Sequence, residues 1–223
     1  MLVVHRSAVV LLALASCSSD PEEIDDPDLT PITTNPDGVP YPTDHLGGRE
    51  RSPLRPGDRI PPYTFRGYRD GDRSKGLQPI GIAEYFDPTQ SRHKVLHVQL
   101  AATWCGICSA ELTATVPVTK ELNARGIALL QVVVAGATAS AGPSQAELDG
   151  WVDRHGSNFH TAIDVGARRL GAIGVNGSAM PHDLLIDTRT MEILDSSLGA
   201  PLDVAKYGQD GLDFVEKNPP STY

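Results

Sequence analysis

Cys105 and Cys108 stand three positions apart in Trp104-Cys105-Gly106-Ile107-Cys108. Two thiols at that spacing meet across one helical turn and can close a disulfide. A disulfide over two intervening residues suits a redox site better than a staple between distant parts of a fold. The first thiol would sit at a helix start, where free backbone N–H groups and the helix dipole favour the thiolate. Cys105 is then the expected nucleophile, attacking a substrate disulfide to form a mixed disulfide. Cys108, deeper in the helix, would attack Cys105 and release the product. A zinc site needs two further ligands. The remaining cysteine is Cys17, and only His93 and His97 are four apart. That spacing suits a helix, but His97 falls in a predicted strand, where four residues span about 13 Å. Neither a metal nor a cofactor is expected.

The elements that must hold this pair can be read around it. Val95–Leu100 is an apolar strand candidate running into the cysteines. A helix is predicted from about Cys105 to Arg125, with Leu112, Val116, Thr119 and Leu122 on one side and Gly126 as its stop. Ala128–Ala135 suits a strand buried on both faces. Ser144 with Glu147 forms a capping box for a helix that ends at Gly156. Gly57–Phe65 reads as an extended lead-in, Thr161–Val165 as a strand and Gly166–Ile173 as a short helix. Leu184–Asp187 and Met191–Asp195 read as a hairpin, and Leu212–Glu216 as part of a closing helix. This order predicts an α/β fold, a mixed central sheet with helices on both faces.

Charge separates the chain into three parts. Its 223 residues carry a formal charge of −9. Residues 18–48 hold eight acids and no Lys or Arg, whereas 49–223 hold twenty acids against eighteen bases. No basic face stands out, so a nucleic-acid partner is not expected. Residues 1–17 contain Arg6 and an apolar run from Ala8 to Ala15, too short for a bilayer of about 30 Å. They read as an export signal. Its end, Leu14-Ala15-Ser16-Cys17, resembles the bacterial lipobox, which implies a lipid anchor on Cys17. Ser18 is not the Asp that resembles an inner-membrane retention signal, which favours outer-membrane placement facing the periplasm. Residues 18–52, rich in Pro and acids, are expected to be a disordered tether, and 53–223 the folded domain.

Val95–Cys108, VLHVQLAATWCGIC, resembles the strand and active-site helix start of bacterial periplasmic thioredoxin-like proteins, the TlpA-like group. The resemblance runs from about Gly57 to Leu198. It implies a thioredoxin-like fold and thiol–disulfide exchange with client proteins, as a reductant served by a membrane electron donor. Met180-Pro181-His182-Asp183-Leu184-Leu185-Ile186-Asp187 matches the family's cis-proline segment. Pro181 would then be the cis residue, and Met180 would present its backbone to a substrate peptide. Trp104 belongs to the same motif. Glu111 matches an acid that could tune the cysteines or accept a proton.

The departures are specific. Ile107 stands where the family often has proline. Gln99 stands where thioredoxin has a buried Asp, and a neutral amide is no base. Thr113 replaces the usual helix proline, and Pro117 follows one turn later. Two alternatives share the fold. A peroxiredoxin-like peroxidase would need a Pro-x-x-x-Thr-x-x-Cys motif, but Thr103 is two before Cys105. A copper-binding module would need three residues between the cysteines.

Overall fold

Val95–Ala102 and Ile127–Ala135 are apolar at nearly every position, so each strand needs cover on both faces. The computed structural model, which describes residues 29–44, 54–137, 142–170 and 179–221, provides it. In chain order its elements are β1 (Thr64–Tyr68), β2 (Gln78–Gly81), β3 (Val95–Ala102), α1 (Gly106–Ala124), β4 (Ile127–Ala135), α2 (Gln145–His155), β5 (His160–Ile163), β6 (His182–Asp187), β7 (Glu192–Leu198) and α3 (Val204–Lys217). The strands form one mixed sheet in the order β2-β1-β5-β4-β3-β6-β7. β3, which leads into the cysteines, is parallel to β4 and antiparallel to β6.

Register shows what covers each face. Gln99 and Gln131 are partners in β3 and β4, so both side chains leave the sheet on one face. Gln99 bonds Thr115 of α1, and Gln131 accepts from the Trp151 indole of α2. His97, on the same face, meets the Tyr207 ring of α3 edge-on. The three α-helices therefore share this face. On the other, Tyr85 in the 3-10 turn Ile82–Tyr85 packs against His160, the register partner of Leu130.

Local signals set the helix ends. Ser144 and Glu147 close the capping box of α2, and Gly156 ends it in the left-handed region at φ 60°. Pro117 lies inside α1, which continues through it to Ala124.

Three expectations change. The lead-in Gly57–Phe65 lies along Met191–Ile193 through the Gly57, Ile60 and Ile193 N–H groups, then enters β1. β1 and β2 form a hairpin on the sheet edge that the sequence pattern did not disclose. The short helix expected over Gly166–Ile173 is a single 3-10 turn, Val165–Ala167, as far as Leu170; residues 171–178 lie outside the described residues.

The tether expectation for 18–52 also needs correction over residues 29–44, which lie on the domain. Thr34 and Pro40 bridge a turn around Asn35, whose side chain accepts from the Asp37 and Val39 N–H groups and donates to the Phe86 carbonyl. Tyr41 is 4% exposed and stacks edge-on with Phe86. The acids that mark the tether lie mostly in 20–28, outside the described residues, whereas 29–44 carries Ile32, Val39 and Tyr41. Averaging over the whole segment concealed that difference. The export signal and Cys17 also lie outside the described residues.

Candidate active site

β3 ends at Ala102, and the chain turns into α1 in three residues. The Thr103 N–H bonds the Ala135 carbonyl of β4, and the Cys105 N–H bonds the Ala102 carbonyl, both at 3.0 Å. Cys105 is the N-cap of α1, with extended backbone (φ −82°, ψ 108°). Its sulfur takes the place of a capping oxygen: the Cys108 N–H points at it from 3.0 Å. The two cysteines form a disulfide. Cys105 is 6% exposed and Cys108 is fully buried, so attack from outside can reach Cys105 first. Trp104 and Ile107 flank the pair and are exposed, 45% and 59%.

The Met180–Pro181 peptide is cis. β6 pairs with β3 up to His182 opposite Leu100, so Pro181 and Met180 continue the line beside Ala101 and Ala102. That places them at the strand end from which the cysteine turn departs. The Pro181 carbonyl accepts from Gly199 at 2.9 Å, and Met180 is nearly buried. His182 bonds Ser196 across the hairpin at 2.7 Å, on the sheet face away from the α-helices.

Glu111 lies one turn past Cys108 on the same side of α1 and is 3% exposed. Its carboxyl therefore does not lie in solvent as an acid on an exposed helix face would. Burial, with Asp183 beside it, pushes its carboxyl up to about 9. Gln99 donates to Glu111 Oε1 at 3.2 Å and to Thr115 at 3.0 Å. Asp183 is raised to about 7 by burial, and its Oδ1 meets His97 Nε2 at 2.6 Å. His97 is lowered to about 4 by burial and so is neutral near pH 7. The donor atoms of His97, Glu111 and Asp183 lie within 4.8 Å of one another, the one such grouping among the described residues that could hold a metal.

The sequence reading singled out neither Asp183 nor His97 as functional. The available signal was polarity at alternate positions, His97 and Gln99, on an otherwise apolar strand. With Asp183 opposite Gln99 in the register, these residues line one face.

No protein-family model matches the chain, and no curated protein matches its sequence. Solved structures do match the fold. A candidate thiol:disulfide interchange protein DsbE from Chlorobium tepidum aligns at 18% identity and TM-score 0.53, over 71% of this chain and 96% of that one. The thioredoxin domain of a Bacteroides vulgatus thiol-disulfide oxidoreductase aligns at 13% and 0.51, over 70% and 97%. Mycobacterium tuberculosis AhpC aligns at 20% and 0.54, over 72% and 93%. The chain has a thioredoxin-like fold. Among the described residues no helix is long and apolar enough to cross a membrane.

Proposed function

We propose that the protein is a thiol–disulfide oxidoreductase of the cell envelope that exchanges disulfides with client proteins through Cys105 and Cys108. The observation that carries this reading is the disulfide at the start of α1, its outer sulfur at the helix N-cap and its inner sulfur buried. Working as a reductant, the Cys105 thiolate attacks a client disulfide, and one client sulfur leaves with the electron pair. Cys108 then attacks Cys105, restores the internal disulfide and expels the second client sulfur. An electron donor in the membrane returns two electrons to the pair. Trp104 and Ile107 offer apolar surface beside Cys105 to the client, and Met180 lends backbone groups next to Pro181. Cys17 carries the lipid that holds the domain at the membrane, facing the periplasm.

The test is insulin reduction by the wild-type chain beside peroxide consumption and copper titration. Disulfide reduction that disappears in Cys105→Ser supports the reading. Peroxide turnover without it, or tight stoichiometric copper without it, replaces the reading with a peroxidase or a metal carrier.

A further inference from the structure

Residues 29–44 set where the chain enters the domain, and that point lies at the cysteine end of the sheet. Ile163 is the register partner of Val133, and Val133 of Ala101. Arg66, opposite Ile163, is therefore level with the end of β3. β1 runs the other way, so Thr64 lies two residues further towards the cysteine turn, three strands or about 14 Å to its side. There the Thr64 hydroxyl accepts the Ile32 N–H at 2.9 Å. Ile32 also covers Gly81, where an added Cβ would stand 2.7 Å from the Ile32 Cβ. The segment then runs down the sheet to Asp37, which pairs at 3.0 Å with Arg92, just before β3 starts. It returns through Tyr41, whose hydroxyl donates to the Ile60 carbonyl, to Asp44, which accepts from the enclosed Arg59 guanidinium at 2.8 Å.

This clasp reverses the end from which a tether would leave. A domain that began at the lead-in would be held from the far end of the sheet, because Arg59 bridges Glu192, the partner of Asp187, which faces Val95. With the clasp docked, the described chain begins at Leu29, three residues before Ile32, and Cys17 is twelve positions earlier. Twelve residues reach about 40 Å at most and average about 20 Å, against about 30–35 Å for the stretch from Cys17 to Leu54. Exposed apolar side chains gather at the same end. Among the described residues five large ones are exposed, and four of them, Trp104, Ile107, Leu198 and Leu202, lie there. Leu198 pairs with His182, opposite Leu100, and Leu202 precedes α3, which runs away from this end to pair Glu216 with Lys94.

Resting on the Cys17 anchor of the proposed function, we propose that residues 29–44 are a clasp that turns the anchored domain so that its cysteine end and apolar rim face the bilayer, within reach of a dithiol carried in the membrane. One thiolate of that dithiol attacks Cys105, and Cys108 leaves with the electron pair. The second thiolate of the donor then displaces Cys105, so the donor becomes a disulfide and two electrons enter the pair. A short tether from the cysteine end keeps such a donor at high effective concentration, whereas a long tether from the far end dilutes it.

The test uses the full acylated chain in phosphatidylcholine–phosphatidylglycerol vesicles with an energy acceptor on the lipid headgroups. In a Cys105→Ser/Cys108→Ser background, a donor dye is placed through Arg168→Cys, exposed just past β5 at the cysteine end, or Ala124→Cys, exposed at the far end of α1. The ends are about 25 Å apart, so the Arg168→Cys dye should transfer at least about twofold more efficiently. Releasing the clasp with Asn35→Ala/Tyr41→Ala should abolish or reverse the difference. Inserting roughly twenty Gly and Ser residues after Asp28, which leaves the clasp intact, should lower both transfers and narrow the difference. With native cysteines, a dithiol on a lipid headgroup should reduce the parent chain about fourfold faster or more than the chain with the insertion, while dithiothreitol reduces both alike. Equal transfer from the two dyes in the parent chain, or stronger transfer from Ala124→Cys, overturns the orientation. So does an unchanged difference after proteolysis shows residues 29–44 released, and so do equal rates with the dithiol lipid. An N-terminus without lipid removes the anchor and the orientation together and leaves disulfide exchange standing. A Cys105–Cys108 disulfide that neither dithiol reduces removes the oxidoreductase reading and the delivery of electrons, and energy transfer still decides the orientation.

Discussion

The Cys108 backbone N–H points at the Cys105 sulfur from 3.0 Å, so one residue of the pair caps the helix that carries the other. A thiolate at Cys105 gains that N–H and the dipole of α1, whereas Cys108 lies one turn in and has no exposed surface.

Cys108→Ser should therefore accumulate mixed disulfides between Cys105 and clients, visible as adducts on non-reducing gels after acid quenching. Cys105→Ser should accumulate few, and both variants should fall to the background rate of insulin reduction. The reverse pattern of adducts would exchange the roles assigned to the two sulfurs.

Stability should fall with rising pH through the buried acids. Folding keeps on Glu111 a proton that the unfolded chain releases above about 4.5, up to about 9 in the native state. The native state binds more protons across that window, so unfolding becomes easier as pH rises. Asp183 acts in the same sense between about 3.8 and about 7, and His97 in the opposite sense between about 4 and about 6.5. In Glu111→Gln the decline in stability from pH 7 to 9 should flatten, by up to about tenfold in the unfolding constant per pH unit. Urea titrations at pH 5, 7 and 9 measure it, and parallel curves for the two proteins would show that Glu111 titrates normally.

Gly67→Ala should destabilise the sheet by about 1–3 kcal/mol or more. A Cβ at Gly67 would stand 2.4 Å from the Thr161 carbonyl oxygen and 2.6 Å from the Ala162 Cα. Both are backbone atoms of β5, paired with β1, and cannot turn aside. Urea midpoints test this; an unchanged midpoint would mean that β1 and β5 are not in this register.

Asn35→Ala should loosen residues 29–44 from the domain. The substitution leaves the Asp37 and Val39 N–H groups and the Phe86 carbonyl without their Asn35 partner, a loss of about 1–3 kcal/mol. Limited proteolysis should cut that segment faster in the variant while insulin reduction persists. Equal cleavage rates would mean that the segment is already free in solution.

Acylation at Cys17 should appear in mass spectra of the native N-terminus, and Cys17→Ala should release the protein from the membrane fraction. Fractionation then separates outer from inner membrane. An unmodified N-terminus elsewhere in the chain would exclude the anchor.

Sequence alone determined what depends on neighbours along the chain. The apolar runs of β3 and β4, the capping box at Ser144, the stop at Gly156 and the cysteine spacing each have a local cause. They were therefore legible in the sequence alone, whereas Pro181 was reached through the resemblance of Met180–Asp187 to a family segment. Register and packing decided the rest. The hairpin of β1 and β2 lacks a clear alternating pattern, because its partners on the edge supply the hydrogen bonds that its composition does not advertise. The segment 29–44 looked like tether because its few apolar residues are diluted by polar neighbours, and only contact with Phe86 and Ile60 reveals their burial. Asp183 lies 72 positions after Glu111 in the chain, and His97 lies 14 before it. The pairing of β3 with β6, together with the fold of α1 over them, sets the three side chains in one dry space. A carboxyl's proton affinity depends on the water it has lost and the charges it faces, and those are properties of the packed structure.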